Sequence, residues 1–144
     1  MSFKNILVPY DGSEPANRAF RAALDIAKRD QAKLKVITFI GEADVGAWYE
    51  DLKLDYEALK KFKDSASKLL DGLKEMAKKE DVHIASDIIE ADSVVKKIIS
   101  FVKEKKIDLV IMGSSGKGKF DRIMLGSVSR GVSEHSPCPV MIIK

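Results

Sequence analysis

Five short apolar runs, separated by segments long enough to be helices, constrain this chain more than any other feature of its sequence. The runs fall at residues 3–9, 34–40, 82–89, 107–112 and 140–143. Each has the length of a strand, and most have the nearly unbroken apolar character of a strand covered on both faces. The first intervening segment, residues 14–30, places Ala16, Phe20, Ala23 and Ala27 on one helical face. Ser13 before it suits an N-cap, and Pro15 in the first turn loses nothing by lacking an N–H. Residues 50–79 read as a long polar helix with one apolar stripe through Leu59, Phe62, Ala66, Leu69, Leu73 and Met76. Residues 93–106 read as a third helix, with Val94, Val95, Ile98, Ile99 and Val102 inward, and residues 125–136 as a fourth that Pro137 stops. Strands joined by helical crossovers must return right-handedly to the same edge, so the expected fold is a doubly wound α/β domain with a five-stranded parallel sheet.

Composition narrows the class. A chain of 144 residues fits one domain over residues 1–144, without linker or repeat. The 25 basic and 22 acidic residues leave a net charge of +3, too little for the broad basic face that nucleic acid requires. Cys138 is the only cysteine, so neither an intramolecular disulfide nor a multi-cysteine zinc site is available. His83 and His135 have no ligand partners at metal spacing. Residues 1–5 carry too short an apolar run for a secretory signal, and no apolar stretch approaches the roughly 20 residues that span a bilayer. The expected compartment is the cytoplasm.

The chemistry concentrates after the fourth apolar run, in Gly113-Ser114-Ser115-Gly116-Lys117-Gly118-Lys119 and then Gly126-Ser127-Val128-Ser129. Glycines let backbone N–H groups approach phosphate oxygens without a Cβ in the way. A helix N-terminus adds free N–H groups and a favourable dipole. Ser127 and Ser129 offer hydroxyl donors, and Lys117, Lys119 and Arg122 make the loop basic. The spacing Gly113-x4-Gly118-Lys119 starts like a P-loop, but Phe120 stands where the Mg²⁺-binding hydroxyl belongs. No G-x-G-x-x-G opens the first crossover, which leaves a dinucleotide site without its fingerprint. A phosphoacceptor receiver domain is a poor match, because Glu90-Ala91-Asp92 lacks the required acceptor setting and the glycine loop would go unused.

These residues, with Ile6-Leu7-Val8-Pro9-Tyr10-Asp11-Gly12-Ser13 and the ending Ser136-Pro137-Cys138-Pro139-Val140-Met141-Ile142-Ile143, resemble the universal stress protein family and its ATP-binding branch. The resemblance covers almost the whole chain. It implies strand order 3-2-1-4-5, with a crevice between the first and fourth strands flanked by Pro9-Tyr10-Asp11 and Met112-Gly113. It implies that Asp11 accepts the ribose hydroxyls and that the backbone of Phe39 meets adenine with Met112 nearby. It implies further that Gly113, Gly116 and Gly126 through Ser129 cradle the phosphates. In that reading Lys117, Gly118 and Lys119 complete the phosphate loop. The implied cofactor is ATP, with or without Mg²⁺, and the implied assembly is a homodimer through the C-terminal strand. One departure is Ala91-Asp92-Ser93, where the family often has a glycine-containing turn; there Asp92 is a candidate cap for the next helix. Trp48 lies in the variable segment, either over the pocket or against the long helix. The expected function is an ATP-binding regulatory module with at most slow hydrolysis, acting on a downstream protein. The alternative is a true ATP-hydrolysing or phosphate-transferring enzyme, for which no general base or arginine finger stands out.

Overall fold

The computed structural model describes residues 2–41, 52–114 and 125–144. In chain order its elements are β1 (Asn5–Pro9), α1 (Glu14–Asp30), β2 (Lys33–Gly41), α2 (Leu52–Lys79), β3 (Ile84–Ala91), α3 (Val94–Glu104), β4 (Leu109–Gly113), α4 (Ser127–His135) and β5 (Val140–Ile143). All strand pairs are parallel and the order is β3-β2-β1-β4-β5, as expected. The strand order reverses direction between β1 and β4, where ligand crevices form in open sheets of this type.

Strand parity sorts the core into two layers. Ile6, Val8, Val36 and Ile111 face α1 and α2, meeting Phe20, Ala23, Leu70 and Leu73. Leu7, Ile37, Val110 and Met112 face α3 and α4, meeting Ile98, Val102 and Val132. Covering both faces explains the unbroken apolar character of β1, whose Ile6, Leu7 and Val8 are all fully buried. The alanines at 16, 19, 23 and 27 are buried as well, and their small side chains let the axis of α1 lie close to the sheet.

Several boundaries differ from expectation, each for an identifiable reason. β1 begins at Asn5 rather than residue 3 because the preceding N–H groups are spent on carboxylates. Phe3 donates to Asp30 (2.9 Å), and Lys4 and Asn5 donate to Asp108 (2.8 and 2.9 Å). The side-chain hydrogen bond from Arg29, and then the Phe3 N–H, hold the Asp30 carboxyl below its ordinary pKa. β3 begins two residues late because Val82 N–H closes the end of α2 on the Ala77 carbonyl (2.8 Å), with Asp81 in the left-handed region at φ 60°. The cap of α3 is Ser93, whose hydroxyl accepts from Lys96 N–H (3.3 Å), and not Asp92.

The stripe on α2 needs a larger correction. Ala66 and Leu73 are buried as expected, but their partners are Leu70 and Ala77, while Phe62, Leu69 and Met76 stay 41%, 40% and 36% exposed. The spacing 66, 70, 73, 77 is the seam that lies on the sheet. The large side chains on the adjacent shoulder drew the sequence reading, yet alanines at the contact give the shorter helix-to-sheet distance. Among the described residues no helix is long and apolar enough to cross a membrane.

Candidate functional site

The parallel sheet gathers helix starts at one end, and three of those starts are described. Two are closed by their own side chains. Ser13 caps α1 by accepting from Ala16 N–H (3.2 Å), and Ser93 caps α3. The third, α4, begins at Gly126, which has no side chain to offer, and no side-chain hydrogen bond caps it. Among the described residues no acceptor takes the first-turn N–H groups of α4, and the positive end of the helix dipole lies behind them.

That N-terminus opens on a cavity of about 260 Å³, slightly below the ~300–1,000 Å³ common for small-molecule pockets. Its described walls come from the ends of β1, β2 and β4 and the starts of α1, α3 and α4, so it sits at the crevice between β1 and β4. It brings together nine of the residues singled out in the sequence: Pro9, Asp11, Phe39, Met112, Gly113, Gly126, Ser127, Val128 and Ser129. Gly116, Lys117, Gly118 and Lys119 lie outside the described residues, as do Arg122 and Trp48. Tyr10, expected at the flank of the crevice, is in the wall too, while the wall residues Ser13, Ala16 and Val94 carry no site signal in the sequence. Ser13 and Val94 were visible only as a cap and a core residue; their approach to one cavity is a property of the fold.

The β1 side of the cavity is rigidly built. Tyr10 N–H donates to the Ile37 carbonyl (2.9 Å), and Thr38 hydroxyl donates to the Tyr10 carbonyl (2.9 Å). The Tyr10 phenol donates to Asn17 on α1. Burial first, then the negative charges of Asp11 and Glu14, push the phenol pKa up, so it remains a neutral donor. The next residues turn sharply, with Gly12 at φ 81°, a conformation that favours glycine. In this turn Asp11 Oδ1 accepts from Ser13 N–H (2.9 Å). One carboxylate oxygen is thus held by the turn and the other is left as an acceptor, so the turn role and a ligand role for Asp11 are compatible.

Gly113 has a packing reason to be glycine besides the one expected. A Cβ there would fall 2.7 Å from Pro15 Cβ, 2.9 Å from the Pro15 carbonyl carbon and 3.0 Å from Ala16 N. The end of β4 packs directly on the first turn of α1, and only a residue without a side chain fits. Beyond it, Ser114 is buried, and its carbonyl accepts from Gly126 N–H (2.7 Å) and from the Ser129 hydroxyl (2.8 Å). The sequence carried no signal for Ser114, because its role is made by partners 12 and 15 positions later.

Chemically, the described walls of the cavity offer apolar surfaces from Phe39, Val94 and Met112, a single carboxylate in Asp11, and a helix N-terminus without a side-chain cap. Among the described residues, no group of three or more His, Cys, Asp or Glu is placed to hold a metal ion. A flat apolar ring, a sugar hydroxyl and an anion are the complementary chemistry.

Known proteins were compared with this fold and site. A sequence profile of the universal stress protein family matches residues 2–144. A universal stress protein of Methanocaldococcus jannaschii is 33% identical over 148 residues, covering 99% of this chain and 82% of that protein. The solved universal stress protein UspA from Lactobacillus plantarum superposes with a TM-score of 0.89 at 27% identity, covering 100% of this chain and 99% of that one. A universal stress protein solved in complex with cAMP gives a TM-score of 0.67 at 23% identity, covering 100% and 98%.

Proposed function

The chain belongs to the universal stress protein family, and from that premise we propose that its cavity binds ATP and that the loaded state serves as a regulatory signal. The observation that carries this reading is the uncapped start of α4 at the crevice, facing apolar walls and the Asp11 carboxylate. Adenine is the ring that Phe39, Val94 and Met112 would sandwich. The second oxygen of Asp11 would take the ribose hydroxyls, and the amides of Ser127, Val128 and Ser129 the phosphates; Lys117 and Lys119 stay phosphate candidates by their sequence alone. Mg²⁺ usually takes one or two carboxylates plus substrate phosphates; with Asp11 the only carboxylate among the described walls, the ion would ride chiefly on the phosphates. That a distant relative was solved with cAMP supports an adenine nucleotide as the ligand class.

Purified protein, denatured in acid, is expected to release ATP identifiable by mass spectrometry, and calorimetry on the stripped protein should return ATP binding above AMP or cAMP. Release of cAMP or AMP instead, or no nucleotide binding at all, would overturn the assignment. Hydrolysis should be slow. Phosphoryl transfer needs an oriented nucleophile and compensation of transition-state charge, and the described walls supply no base besides the turn-bound Asp11. Turnover on the order of one event per minute is expected, far below the ~1–100 s⁻¹ of kinases. Phosphate release above ~1 s⁻¹ from ATPase-free protein would favour the enzyme reading.

The assembly we propose is a homodimer through β5. That strand ends the sheet, so among the described residues one row of its backbone groups has no strand beside it. Met141 on it is 36% exposed, an apolar side chain suited to burial against a second copy. Light scattering at micromolar concentration should give twice the mass of one chain; a monomer mass would count against it.

A further inference from the structure

The geometry points to the Ser129 hydroxyl as a positioning group for the nucleotide site, a latch between Ser114 and the start of α4 rather than a phosphate donor; this deepens the ATP reading, which uses only the Ser129 amide, and rests on it. A serine hydroxyl has one proton to donate. The Ser129 Oγ lies 2.8 Å from the Ser114 carbonyl and 3.0 Å from the Gly126 carbonyl, and both can only accept. The residue is 2% exposed. Its proton is therefore committed inside the protein, and a phosphate could recruit it only by breaking the bond to Ser114.

The contact is more than the habit of a helical serine. Ser133, one turn further along α4, bonds only the carbonyl three residues back, that of Arg130 (2.9 Å), and is exposed. Ser129 makes the equivalent bond to Gly126 and adds a buried one across 15 positions to Ser114. That second bond falls on a carbonyl already taking Gly126 N–H (2.7 Å), while Ser114 N–H donates to the Ile143 carbonyl of β5 (2.8 Å). The chain thus enters the glycine-rich segment at Ser114 and leaves it at Gly126, and these two points are pinned together and to the sheet. The hydroxyl of Ser129 holds the pin from the side of α4. Its effect is to fix the start of α4, and so the direction of the free amides, before any phosphate arrives, which lowers the ordering cost of binding.

The test uses the whole chain as wild type, Ser129→Ala, Ser129→Thr and, as control, Ser133→Ala. In ligand-free protein, hydrogen exchange at the Gly126 amide should accelerate at least about fivefold in Ser129→Ala, the range expected for one lost neutral hydrogen bond. Ser129→Thr keeps the oxygen and should restore exchange to within about twofold, since a helical threonine makes the same backward bonds. Ser133→Ala should match wild type. In calorimetry, Ser129→Ala should weaken ATP at least about fivefold and leave adenosine, which carries no phosphate, within about twofold. Wild-type exchange at Gly126 in Ser129→Ala would overturn the latch, whatever happens to ATP. Accelerated exchange with equal losses for ATP and adenosine would reduce Ser129 to general stability and overturn the positioning role. If wild type binds neither ligand, the ATP reading and the positioning role fall together, and the exchange data still decide whether Ser129 pins Gly126.

Discussion

Gly126→Asp is expected to weaken ATP binding at least tenfold, about 1.4 kcal/mol, while leaving the protein as stable as wild type or slightly more so. Gly126 sits at φ −65° and ψ 165°, ordinary extended backbone, so a Cβ introduces no strain at this position. Aspartate is among the best N-cap residues and its charge suits the helix dipole, so the helix itself should gain a few tenths of a kcal/mol over glycine. The same carboxylate would occupy the first-turn amides and repel a polyphosphate. Affinity and stability should therefore move in opposite directions, an outcome that general damage cannot produce. Calorimetry with ATP and urea denaturation on the same preparations measure both. Undiminished ATP affinity in a normally folded Gly126→Asp protein would place the phosphates away from α4.

The part of this molecule that was legible beforehand is the part encoded locally. Apolar runs between helix-length segments gave the five strands within a few residues, and Ser13 and Pro15 marked the start of α1 because capping is settled by neighbours in sequence. The errors arise where distant partners decide. β1 is shortened by Asp30 and Asp108, and the second of these lies more than 100 positions away. On α2 the pattern of large apolar side chains points to Phe62, Leu69 and Met76 beside Ala66 and Leu73, while the sheet selects Ala66, Leu70, Leu73 and Ala77 by closeness of approach. At the site, the glycines and Asp11 are recognisable by residue type, but a sequence cannot show that Ser13, Ala16 and Val94 converge on the same cavity, since two helices far apart in the chain, α1 and α3, bring them there.

Gly113 shows that residue type alone leaves part of a role unseen, and it carries the second large effect. Gly113→Ala is expected to destabilise the fold by about 1–3 kcal/mol, the usual cost of overpacking, and Gly113→Val by more. The reason is that an added Cβ would meet not flexible side-chain ends but the Pro15 ring carbon at 2.7 Å and the backbone of α1 at 2.9 and 3.0 Å. The first turn of α1 cannot retreat freely, because Ser13 caps it and the fully buried Phe20 one turn on anchors the helix in the core. Urea denaturation should show a lower midpoint at unchanged slope, the signature of a less stable native state with the same surface buried. Pro15→Gly added to Gly113→Ala removes only the Cβ contact and leaves the two backbone contacts, so any rescue should be partial. Wild-type stability in Gly113→Ala combined with a tenfold loss of ATP affinity would reverse the assignment. Gly113 would then be glycine for the phosphates alone, and the packing of β4 on α1 looser than these distances require.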